Sequence, residues 1–288
     1  LITGVFLLGF YFWGTNQYIT QRTLASKNTQ EGQWGAMFAG LLKILILFIM
    51  IMPGAFARVL YPEISEIDRV YPTMMFDLLP TGMLGLVLAG LIAAMMSSID
   101  SGLNSVSTLV TMDFYQRIYP DKDSSELMGI GRWITLIVMI IAVIWAPQII
   151  EFQGLWNYLQ FVLSWFSPPI LALFFVGLFW YRANTRGAYW GISVGAVMTV
   201  LVITFNRNEE IIDFLYMTGI QFSLSVIAMI IGSLTAAPPS DEVIEKAVWS
   251  PAGFKKESEE LKALPWYKNY RYQGVGLVVI VVVILLIY

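Results

Sequence analysis

Apolar runs long enough to cross a bilayer follow one another along almost the whole chain. A membrane span needs about 20 apolar residues, and that criterion places eight helices, at 1–21, 33–60, 80–116, 128–148, 152–181, 187–205, 211–235 and 273–288. The third is longer than a bilayer requires, so it either tilts or continues beyond the membrane through Asp113–Tyr119. The connection at 61–80 is acidic and expected on the external side. The one at 236–272 is long, mixed in charge and punctuated by proline, with a short surface helix expected at 240–248.

The third run carries a polar stripe. On a helical wheel of about 100° per residue, Ala94, Ser97, Ser98, Ser101, Ser105 and Thr108 share one arc. Asp100, Asn104, Ser107 and Thr111 flank it, and Met95, Met96, Ile99, Leu103, Val106 and Val110 fill the opposite face. Polar groups at lipid depth must face other helices or a wet cavity. Small hydroxyls beside backbone carbonyls are hard oxygen ligands that suit a small cation.

Two further polar residues interrupt apolar runs. Lys43 sits ten residues into the second span: it either snorkels to the interface or is a cation in a substrate pocket. Gln160 is an amide within the fifth span, just before Pro168 and Pro169. Those prolines remove two backbone donors, so the helix is expected to break or kink there.

Composition agrees with the pattern. Apolar residues make up 57 % of the 288 and charged residues 13 %, about half the share of a soluble domain, and the mean hydropathy is +0.69. The fold class is therefore an all-α polytopic membrane protein, with the lipid bilayer as its surroundings. Ten Trp and fourteen Tyr suit interfacial belts. With no Cys and no His, disulfides, thiolate metal sites and histidine catalysis are excluded. A net charge of −3 gives no basic excess for nucleic acid. One set of connections holds nearly all the Lys and Arg. The other holds only Arg58, Arg69 and Arg207, which makes the first set cytoplasmic. The chain opens mid-span in character (LITGVFLLGFYFW), with neither an initiating Met nor a signal-peptide pattern. It reads as the C-terminal part of a longer protein.

Four stretches, in order, carry a resemblance: FWGTNQYITQRTLASKN (Phe12–Asn28), LLKILILFIMIMPGAFARVLYP (Leu41–Pro62), AAMMSSIDSGLNSVSTLVTMDFYQ (Ala93–Gln116) and LQFVLSWFSPPILALFFVGLFW (Leu159–Trp180). Together they resemble the solute:sodium symporter family, and within it the sodium/glucose (galactose) cotransporter branch. The resemblance implies a LeuT-type fold of two inverted five-helix repeats. Residues 1–181 would be the second repeat, and 182–288 peripheral helices with the cytoplasmic loop at 236–272. The N-terminal repeat of the same protein would be absent from the chain.

The resemblance also implies roles. Ala94 (through its carbonyl), Ser97 and Ser98 match half of the family's common sodium site. Asp100 and Ser101 match a second sodium site found in some members, though an Asp there also suits pairing with a helix dipole or another helix. Lys43 and Gln160 match sugar-binding residues of the branch, and Phe12 and Trp13 an aromatic pair beneath the sugar. Phe12 stands where the branch usually has Tyr, and Gly9 where some members have a polar contact. Trp156 lies near the outer aromatic gate. For each aromatic, core packing is the alternative. The implied function is sodium-driven sugar uptake across a bacterial inner (plasma) membrane, with Na+ as the coupling ion and no enzymatic step. The alternatives are a sodium symporter for another small solute (inositol, sialic acid, an amino acid), or the transporter-like input module of a membrane sensor.

Overall fold

The structure is a computed structural model that describes residues 4–151, 154–205 and 213–287. The span ends expected at 1–3, 152–153, 211–212 and 288, and Arg207, lie outside the described residues. The fold is all-α. Its elements are α1 (Gly4–Thr15), α2 (Gln17–Leu24), α3 (Thr29–Leu60), α4 (Ile67–Leu78), α5 (Thr81–Ile118), α6 (Ser124–Ile149), α7 (Leu155–Phe179), α8 (Thr185–Phe205), α9 (Phe214–Leu234), α10 (Asp241–Ala247), α11 (Pro251–Lys262) and α12 (Tyr270–Ile287). Among the described residues, seven helices are long and apolar enough to span a membrane: α3, α5, α6, α7, α8, α9 and α12.

The expected first span is interrupted. α1 ends at Thr15, and Asn16 adopts an extended conformation (ψ 120°) before α2 begins. The Asn16 side chain accepts from the Tyr18 N–H, capping α2 and offering the backbone an alternative to a continuous helix. The long third run stays helical to Ile118, 38 residues in all. At about 1.5 Å per residue it far exceeds the bilayer core.

In the fifth span the expected break does not occur. α7 runs unbroken from Leu155 to Phe179 with Pro168 and Pro169 inside it. Side chains of neighbouring helices take up the carbonyls that the prolines leave without partners. The 236–272 connection contains α10, as expected at 240–248, and also α11. Arg271 ties α11 down: it donates to Glu257 and to Ser258 Oγ (2.6 Å) and stacks on the Phe254 ring at 3.9 Å.

The chain groups into two compact units, Leu1–Met37 with Leu159–Tyr288, and Phe38–Tyr158. In the first, α8 and α9 pack closest. Gly187, Gly191 and Gly195 recur every four residues along α8 and let the α9 backbone approach. A Cβ at Gly187 would lie 2.5 Å from the Met229 carbonyl oxygen. α9 is inside-out relative to a soluble helix: Thr218, Gln221, Ser225 and Ser233 are buried, while Tyr216, Ile220, Ile227 and Ile231 face outward. That polarity is what a lipid solvent demands. In the second unit α5 packs on α6, joined by Ser107 Oγ donating to the Gly131 carbonyl at 2.8 Å.

Candidate functional site

Three π turns occur among the described residues, and each lies beside a residue the sequence singled out. Tyr11–Thr15 carries Phe12 and Trp13. Leu47–Ile51 begins one turn after Lys43. Leu109–Tyr115 follows the serine stripe at Thr108 and contains Thr111. A π turn widens the helix and leaves backbone groups poorly paired, which is why such turns concentrate at functional positions. The sequence offered no periodicity signal for them.

In the first π turn, Phe12 and Trp13 meet edge to face, with ring centroids 5.3 Å apart and planes at 81°. Phe12 is half-buried and Trp13 is exposed. The Thr15 hydroxyl donates to the Tyr11 carbonyl at 3.0 Å, taking up an acceptor in the distorted turn. Gly9 has open space where a side chain would stand.

The start of α7 is held by two bonds within the second unit. Asp68 of α4 accepts from the Leu155 N–H at 3.0 Å, capping the helix from another element, beside Gly154 at φ 117°. Trp145 Nε1 donates to Tyr158 Oη at 2.7 Å. Between these anchors Trp156 stands 70 % exposed, and a turn later Gln160 is half-buried. Lys43 is exposed on α3. Lys43 belongs to the second unit and Gln160 to the first.

The serine stripe divides along its length. Ser101, Ser105, Ser107 and Thr111 are buried, whereas Ala94, Ser97, Ser98 and Asp100 are exposed. Within the stripe, Ser101 Oγ donates to the Ser97 carbonyl and Ser105 Oγ to the Ser101 carbonyl, both at 2.8 Å. A hydroxyl that donates to its own backbone keeps its lone pairs for another partner. Ala94, Ser97 and Ser98 lie at i, i+3 and i+4 on one exposed face of α5.

In the connection at 61–80, Tyr61 donates to the Asp77 carboxylate. That bond, together with the nearby negative charge, pushes the phenol above its ordinary range.

Sequence reasoning missed one polar cluster. Thr199 of α8 and Gln221 and Ser225 of α9 are at most 6 % exposed and gather beside the Ser164 and Trp165 carbonyls and Pro169 of α7. The signal was present: Gln221 is an amide in an apolar run, just as Gln160 is.

Seven long apolar helices among the described residues, with polar side chains turned inward on α9 and a partly open polar stripe on α5, define an all-α, multi-pass membrane protein. The chain belongs to the sodium:solute symporter family, whose pattern residues 1–195 match. It is 34 % identical to sodium/myo-inositol cotransporter 2 of Oryctolagus cuniculus over 86 % of this chain and 42 % of that protein. It is 34 % identical to sodium/glucose cotransporter 4 of Danio rerio over 93 % of this chain and 46 % of that protein. It is 32 % identical to sodium/glucose cotransporter 1 of Sus scrofa over 91 % and 45 %. The chain thus spans less than half the length of these relatives. They are transporters, which points away from an enzyme, and sodium is the coupling ion of the family.

Proposed function

We propose that this chain is the C-terminal part of a sodium-coupled symporter for a neutral polyol, working by alternating access in a LeuT-type fold. The observation that carries the reading is the joint likeness to sodium/glucose and sodium/myo-inositol cotransporters over most of the chain. Residues 1–181 form the second repeat of the core and 182–288 the peripheral helices. A preceding repeat supplies the facing wall of each site, at the bilayer midplane where such folds bind. The exposed half of the α5 stripe and the interrupted α1–α2 segment support that arrangement.

In this reading Ala94 O, Ser97 Oγ and Ser98 Oγ hold the sodium ion, with Asp100 and Ser101 available to a second. Lys43 and Gln160 donate to the hydroxyls of the polyol. Phe12 and Trp13 close it from the cytoplasmic side by stacking, and Trp156 covers the outer side. No bond of the substrate changes. Sodium binding shifts the balance between outward- and inward-open states, and each ion entering through 100 mV contributes about 2.3 kcal/mol. A glucose- or galactose-like sugar is the preferred substrate, because Lys43 and Gln160 match sugar-binding residues of that branch, and myo-inositol is the second, because both kinds of relative are 34 % identical. The host membrane is a plasma membrane, bacterial in this reading, with the Lys- and Arg-rich connections inside.

The test is uptake by the full-length protein in liposomes, with glucose, galactose and myo-inositol each offered with and without an inward sodium gradient. Sodium-dependent accumulation of one of them is expected. Equal uptake with potassium replacing sodium would defeat the reading.

A further inference from the structure

Pro168 and Pro169 stand in tandem inside α7, so two N–H groups are absent and the carbonyls of Ser164 and Trp165 lose their helical partners. The site is sealed: Ser164 is 2 % exposed, Ser167 1 %, and Pro168 is fully buried. A bare carbonyl there has no water to turn to. Both carbonyls are satisfied by side chains of other helices. Thr199 Oγ1 of α8 donates to Trp165 O at 2.7 Å. The Gln221 amide of α9, in the orientation that satisfies both its ends, donates to Ser164 O at 2.9 Å and accepts from Thr199 N at 3.2 Å. The helices come this close because α8 has glycine at the crossing. A Cβ at Gly195 would sit 2.3 Å from the Pro169 ring and 3.0 Å from Ser225 Oγ. Ser225 is fully buried beside this crossing, and its hydroxyl has no partner among the described residues.

We propose that Thr199, Gln221 and Ser225 form a side-chain latch on a proline hinge in α7 and act as positioning residues for Gln160. Where the helix has no backbone hydrogen bonds of its own, its two halves are joined by bonds that are exchangeable. Ser225 Oγ is a spare donor one turn from Gln221 on the same face of α9. The half of α7 that carries Gln160 and Trp156 tilts while a freed carbonyl passes from one donor to another, and no acceptor is left bare. A continuous backbone ladder would resist that motion, and an unlatched proline pair would let Gln160 wander. The proposal rests on the reading of Gln160 as a substrate ligand.

The experiment uses the full-length protein in liposomes and in detergent, with Gln221→Leu, Thr199→Val, Thr199→Ser and Ser225→Ala. Maximum uptake rate, sodium half-saturation and amide hydrogen exchange across residues 161–167 are measured. Gln221→Leu and Thr199→Val each strand a buried acceptor. The expected result is a maximum rate lower by about tenfold, faster exchange at 161–167 and an unchanged sodium half-saturation. Thr199→Ser keeps the hydroxyl and restores the rate. Ser225→Ala removes an unpaired hydroxyl, so it leaves the melting temperature unchanged or raised and still slows uptake, which separates latching from folding. Unchanged exchange in Gln221→Leu and Thr199→Val, or a wild-type rate in Ser225→Ala, would overturn the latch. If Gln160→Ala transports normally while exchange still responds to Gln221→Leu, the hinge stands and the substrate assignment falls.

Discussion

Two polar regions of this molecule, each set within apolar helices, have different fates. Around Gln221, hydroxyls and an amide from α8 and α9 turn inward and take up the carbonyls that the prolines of α7 release. Along the first part of the α5 stripe, Ala94, Ser97, Ser98 and Asp100 remain exposed. Polar groups avoid lipid. The first region meets that demand by closing on its own chain, and the second is left exposed. A polar residue in an apolar helix is therefore not by itself a site. What distinguishes the two cases is whether its hydrogen-bonding capacity has already been used.

The largest expected effect concerns the open region. Residues 1–288 alone, reconstituted beside the full-length protein, should show no sodium-driven uptake, because each proposed site has only one wall here and alternating access moves one repeat against the other. Robust uptake by this segment would break the comparison at its root, since the open stripe would then be complete in itself. Next comes the substrate pocket. In the full-length protein, Lys43→Ala and Gln160→Ala should each lower uptake about 10- to 100-fold, as a hydrogen-bonded polyol loses a partner, while surface labelling shows normal delivery to the membrane. Normal transport by Lys43→Ala would make that lysine a snorkelling residue.

The closed region responds through stability instead. Gly187→Ala forces a Cβ to within 2.5 Å of the Met229 carbonyl oxygen. Thermal unfolding in detergent should register a loss of about 1–3 kcal/mol, with sodium half-saturation unmoved in the surviving protein. The sharpest contrast is the smallest change. Ser97→Ala and Ser98→Ala should raise the sodium half-saturation by roughly tenfold, since a hard cation loses one oxygen ligand, while the melting temperature stays close to wild type because neither hydroxyl is buried. A melting shift without a sodium effect would move these serines into the structural class with Gln221.

Much of the architecture was legible in the order of residues. Lipid is a uniform solvent, and its demand for about 20 apolar residues per crossing is local, so seven long helices emerge where hydropathy places them. The stripe on α5 was legible for the same reason, because helical geometry alone sets which residues share a face. The interruption at Asn16 and the three π turns were not, since each depends on a few hydrogen bonds against a background that favours helix. Nor did the sequence separate Gln160 from Gln221. Both are amides in apolar runs, and only the resemblance to a known family set Gln160 apart while Gln221 was passed over. Only the packing of α7, α8 and α9 assigns Gln221 to the Ser164 carbonyl and keeps α7 continuous through two prolines that should have broken it. Hydropathy and helical period act within a segment, so the chain alone determines where helices cross and which faces are polar. Whether a polar face is satisfied depends on donors tens of residues away, and that is decided only when the helices meet.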